Sequence, residues 1–96
     1  MLQYISSDQF RAIQDKPVPL EASGHSYTVQ VTQVRAFTPH SERPETPFAL
    51  ILHAAHDVML PQGIYRFHHP SLGVLDLFMV PIGPDARGMR YEVIFN

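Results

Sequence analysis

From Val18 to the end of the chain, apolar residues recur mainly at every second position, and no stretch after Pro17 carries the three-and-four spacing of a helix. A chain patterned this way can bury its apolar side chains only by pairing strands into a sheet with one face on a core. The 96 residues are too few for two self-sufficient cores, so residues 1–96 read as a single domain.

The strands can be placed from this period and from the turn residues between them. Val18 to Ala22 is a short strand ending before Gly24, and Ser26 to Phe37 is a long one. Within the long strand Tyr27, Val29 and Val31 share a face, whereas Val34 and Ala36 fall on the other parity, which predicts a bulge near Thr32-Gln33. Thr38 to Pro47 has the proline and charge content of an exposed loop, and Phe48 to Leu52 reads as a central strand apolar on both faces. Gly63 to His69 and Val74 to Pro81 make a hairpin. Pairing His68 with Val74 sets Arg66 opposite Asp76 on one face, and Phe67 opposite Leu75 and Tyr65 opposite Leu77 on the other. Ile82 to Gly88 is expected as a turn, with Arg90 to Asn96 as the last strand. The aromatics Tyr27, Phe48, Tyr65, Phe67, Phe78, Tyr91 and Phe95 are expected in the core.

Before Pro17 the signals are helical. Ser6 as N-cap and Gln9 three residues on form a capping box, Ile5 and Phe10 form a hydrophobic staple, and Asp8 suits the positive end of the helix. A helix over Ser7–Gln14 is predicted, presenting Phe10 and Ile13 on one side as a cover or plug. The expected fold is therefore mainly β, a small, partly open antiparallel barrel of about six strands with a short N-terminal α-helix. A two-sheet β-sandwich is the alternative.

Composition removes several classes of function. Lys+Arg total 7 against Asp+Glu 9, and no basic run is present, so neither nucleic acid nor an anionic membrane is an expected partner. Without cysteine there are no disulfides, thiol nucleophiles or cysteine-ligated metals. Met1 to Ser6 lacks the features of a signal peptide and no apolar run is long enough to span a bilayer, which predicts a soluble, cytoplasmic protein, with export as part of an assembly left open. The glycines read as turns and hinges rather than a phosphate cradle. No cofactor is expected.

Six histidines are many for this length. His53, His56 and Asp57 are the weak candidates for a metal, although their spacing suits a helical turn better than the strand end on which they fall. The neighbours His68 and His69 point to opposite faces of a strand and cannot readily share one ion. Arg66 and Asp76 read as an outward cross-strand pair rather than a catalytic one.

The run Leu60-Pro61-Gln62-Gly63-Ile64-Tyr65, then His69-Pro70-Ser71-Leu72-Gly73, Leu77-Phe78-Met79-Val80-Pro81-Ile82-Gly83-Pro84-Asp85 and Tyr91-Glu92-Val93-Ile94-Phe95-Asn96, resembles a family of small bacterial domains of unknown function. The N-terminal helix with Phe10 is similar too. The resemblance implies company with phage-tail-collar-like proteins, hence an accessory role around a tail-fibre-like appendage, and it carries over no catalytic residues.

The expected function is a non-enzymatic protein-binding or assembly module, meeting a tail-fibre-like or collar-like protein or a second copy of itself. An edge strand or the hairpin ends would make the contact, through Pro84, Asp85 and Arg87 at one end and His68 and His69 at the other. The rival expectation is a small-molecule or metal-binding barrel using His53, His56 and His68. A lectin-like carbohydrate binder is a third and weaker reading.

Overall fold

The computed structural model describes residues 5–36 and 47–95. A short helix, α1 (Ser7–Arg11), precedes the strands β1 (Val18–Ala22), β2 (His25–Ala36), β3 (Phe48–Ala54), β4 (Gly63–His69), β5 (Gly73–Asp85) and β6 (Gly88–Phe95). Each strand pairs antiparallel with two neighbours, and the order β1-β2-β3-β6-β5-β4 closes into a barrel. The mainly-β barrel with an N-terminal helix is thus the fold adopted, rather than the sandwich. Closure also removes the edge strand expected as a docking site, because every strand already has partners on both sides.

Two long, bulged strands make the closure. β2 pairs with β1 through His25–Val29 and with β3 through Gln30–Ala36, its register shifting between Val31 and Gln33. β5 pairs with β4 up to Met79 and with β6 from Val80, its register shifting between Pro81 and Gly83. A bulge bends a strand and raises its twist, which lets one strand serve two sheet directions at a corner. The parity break at Thr32 was the sequence sign of the first corner.

The β4–β5 hairpin has the expected register, with Arg66 opposite Asp76 and His68 opposite Val74. The closing seam is the weakest join: β1 and β4 share only the pairs Leu20–Phe67 and Glu21–Arg66. Pro19, the residue before this seam, has no N–H to donate. A side-chain bond reinforces the seam, His68 Nε2 donating to Glu21 Oε1 at 3.2 Å.

Two expected boundaries move. The regular helix ends at Arg11 rather than Gln14, because its last turn is drawn to the β2 bulge. Asp15, at a φ of 66°, donates its N–H to Val31 O at 2.8 Å, and Gln14 Nε2 donates to Thr32 O at 3.1 Å. The expected turn over Ile82–Gly88 is instead mostly strand. β5 runs on to Asp85 and only Ala86 and Arg87 form the turn. The bulge absorbs the prolines: Gly83 takes a φ of 94°, and Arg90 donates through Nε to Gly83 O at 3.1 Å. The exposed loop expected from Thr38 lies, apart from Pro47, outside the described residues.

The barrel interior is filled by side chains, among them Leu20, Val29, Leu50, Leu52, Phe67, Met79 and Tyr91, all fully buried. Phe10 of α1 closes one end, its ring 5.9 Å from Phe48, 5.8 Å from Phe67, 5.4 Å from Phe95 and 5.2 Å edge-on to His69. Ile13 is buried beside it in the same cluster. The Ser6 N–H bonds Gln9 Oε1 at 2.8 Å, which fixes the first turn and so the angle at which Phe10 enters. Tyr91 holds the segment after β3, its hydroxyl donating to Val58 O at 2.7 Å and accepting from Leu60 N at 2.9 Å. Phe78 departs from the expected core set: it is 52% exposed on the outer face.

Candidate functional site

The chemistry-bearing side chains collect at two places, the β5–β6 hairpin tip and the outer face of β4, β5 and β6.

At the tip, Asp85 and Gly88 are register partners across a two-residue turn. Asp at the first position and Gly at the fourth suit a tight turn, and Asp85 Oδ1 accepts the N–H of Arg87 at 2.9 Å and of Gly88 at 3.3 Å. The same carboxylate accepts from His53 Nε2 at 2.9 Å, and His56 Nε2 donates to Asp85 O at 2.9 Å. Behind His53, Nδ1 lies 2.6 Å from Thr32 Oγ1, which is also 3.3 Å from Ile51 O. Thr32 is the extra residue of the β2 bulge, so the bulge aims its hydroxyl at the ring. Arg87 Nη2 and Asp15 Oδ1 add an exposed contact at 3.7 Å. A chain of hydroxyl, imidazole and carboxylate therefore joins β2, β3 and the tip, with the His53 side chain only 10% exposed.

The hydrogen bond from His53 holds the Asp85 carboxyl well below its usual 3.8, at about 2, helped by the N–H groups of Arg87 and Gly88. A lowered carboxyl contributes stability that is complete above its unfolded value and is lost as pH falls through the folded one. The melting-temperature difference between the wild type and Asp85→Asn should therefore shrink as pH falls from about 4 to about 2. A difference that stays flat across that range in a thermal-melt series would remove the His53–Asp85 contact as a source of stability.

These contacts regroup the residues singled out from sequence. His53 and His56 do converge, but on Asp85, expected as a partner contact, and not on Asp57, which is exposed. His68 lies apart from them at the β1–β4 seam. Among the described residues no three His, Cys, Asp or Glu groups come together as a metal cluster. His69, proposed from sequence as a partner contact, is buried at 4% exposure. Its Nδ1 accepts from Ser71 N at 3.1 Å and Leu72 N at 3.2 Å, and its Nε2 donates to Gln9 O at 2.9 Å, so it pins the hairpin turn to α1. Pro84 and Arg87 are exposed at the tip.

The second feature had no place among the sequence candidates. Ile64, Phe78 and Ile94 are exposed at 69%, 52% and 51%. Ile64 and Phe78 are register partners, and Phe78, Val80, Glu92 and Ile94 line one groove of ≈ 360 Å³. An apolar row thus crosses three adjacent strands. Arg66 and Asp76 border it on one side and Glu92 on the other. Parity could have revealed the row: Phe78 shares its parity with the outward Asp76, and the buried Leu75, Leu77 and Met79 take the other.

Fold and surface together define a small closed antiparallel barrel, plugged by a helix and lined inside by its own apolar side chains, with an apolar face outside. Residues 5–95 match the family described as a domain of unknown function, DUF6916, and the chain belongs to that family. No curated protein and no solved structure matches it. No helix among the described residues is long and apolar enough to cross a membrane.

Proposed function

We propose that this domain is a non-enzymatic protein-binding module of an assembly, docking through the outer face of β4, β5 and β6. The observation that carries this reading is the row of Ile64, Phe78 and Ile94, each at least half exposed on neighbouring strands. Single exposed apolar residues are ordinary, but a contiguous row rimmed by charge is the usual composition of a contact surface. Two further observations support it. The barrel interior is occupied by its own side chains, and the ring nitrogens of His53 and His69 are engaged within the chain. The setting we propose is an accessory role around a tail-fibre-like appendage, the one implied by the family resemblance of residues 60–96, with synthesis in the cytoplasm. Pro84 and Arg87 at the tip and His68 at the seam stand outside this row and are secondary contacts in this reading.

The test is co-expression with a collar-like or fibre-like protein from the same source organism, followed by affinity capture. Wild type should retain the partner, and Phe78→Asp should lose it at an unchanged melting temperature, because an outward residue contributes little to the fold. Retention by Phe78→Asp equal to wild type would place the contact elsewhere and end this reading.

A further inference from the structure

The charges around the apolar row are arranged for a face that meets itself. Register fixes their positions. Arg66 lies on β4 opposite Asp76, two residues before Phe78 on β5, and Glu92 lies on β6 opposite Val80, two residues after it. Phe78 is therefore the midpoint of a diagonal from a cation on one neighbouring strand to an anion on the other. Among the described residues, the ion pairs of this chain involve neither Arg66 nor Glu92.

We propose that the occupant of this face is a second copy of the same chain, forming an isologous dimer centred on Phe78. The inference rests on the docking surface proposed above and names what covers it, the fibre-like protein then meeting the dimer, so that loss of its capture by Phe78→Asp would follow from loss of the dimer. A two-fold axis lying in the interface, through Phe78 and perpendicular to the diagonal, lays Arg66 of each copy over Glu92 of the other. Two reciprocal ion pairs then flank a contact between the two Phe78 rings, with Ile64 and Ile94 beside it. No strand edge is needed, in keeping with the closed barrel.

The test is sedimentation velocity of the full chain from about 1 μM to about 1 mM, the range in which weak dimers dissociate. Wild type should show a monomer–dimer equilibrium weakened by salt. Phe78→Asp should weaken it by about tenfold or more; in an Asp76→Asn chain, which removes the carboxylate opposite Arg66, Arg66→Glu should weaken it likewise and Arg66→Glu combined with Glu92→Arg should restore it, because the swap rebuilds both pairs with reversed sign. A second measurement does not depend on charge reversal. The chain has no cysteine, so Arg66→Cys and Glu92→Cys chains can be mixed and joined by a bis-maleimide of about 10 Å reach, the spacing of packed sheets. The mixed product should exceed either homotypic product. A chain that stays monomeric at the highest concentration, a dimer indifferent to Phe78→Asp, an unrescued double variant or prevailing homotypic crosslinks would each overturn the proposal. Loss of fibre-like capture by Phe78→Asp in a chain that never dimerises would leave the module reading standing and remove self-association alone.

Discussion

Phe10→Ala should lower the stability of the domain by about 3–5 kcal/mol, the range for emptying a buried aromatic site. Phe10 is fully buried and its ring meets Phe48, Phe67, Phe95 and His69, so the void would open where three strands converge and none could collapse into it alone. α1 has five residues and no independent stability, so without its anchor the segment before Pro17 should detach rather than repack. For a domain whose total stability is roughly 5–15 kcal/mol, a loss of this size is a fall of at least about 12 °C in melting temperature. Chemical denaturation of Phe10→Ala beside Phe10→Leu checks it. A loss under about 1 kcal/mol for Phe10→Ala would mean that the helix is a cover and not a plug.

Gly88→Ala should be nearly as damaging although it adds one methyl group. Gly88 has a φ of 152°, and a Cβ built there would lie 2.0 Å from the backbone oxygen of Ala54. The obstacle is backbone, which cannot rotate away as a side chain would, so β6 would have to pull back from β3 at the Ala54–Met89 pair. Strain and overpacking of this kind cost about 2–5 kcal/mol. The displacement would also draw Asp85 from His53, so backbone amides at the tip should exchange faster with solvent than those at the β4–β5 turn. Hydrogen exchange of Gly88→Ala reads both effects, and a wild-type pattern with a wild-type melting temperature would show that the close approach is absent.

The two sites differ in how far the sequence announced them. The Phe10 plug was legible, because capping, staple and apolar spacing are local and occupy one stretch of chain. The β4–β5 register was legible for a similar reason: a short connection leaves few pairings, and Arg66 against Asp76 with Phe67 against Leu75 satisfies charge and burial in one of them. The link of Asp85 to His53 was not legible, since residues 32 apart in the chain meet only once β3, β6 and β5 are neighbours. Thr32 could be located as the site of a bulge, but the direction in which the bulge points its hydroxyl depends on the strand beside it.

Phe78 shows the boundary between the two kinds of information. The hairpin register already set its parity with the outward Asp76, yet an aromatic between Leu77 and Met79 was read as core because large apolar side chains are mostly buried. Sequence alone determined the strand period, the helix start, the corner at Thr32 and the hairpin pairing, because each follows from interactions within a few residues or across a short turn. Tertiary structure decided the closure through β1 and β4, the extension of β5 through its prolines, the gathering of His53, His56 and Asp85, and the alignment of Ile64, Phe78 and Ile94 on three neighbouring strands. Each of these depends on which strands become neighbours, and that choice is settled by filling one small interior with the whole chain at once.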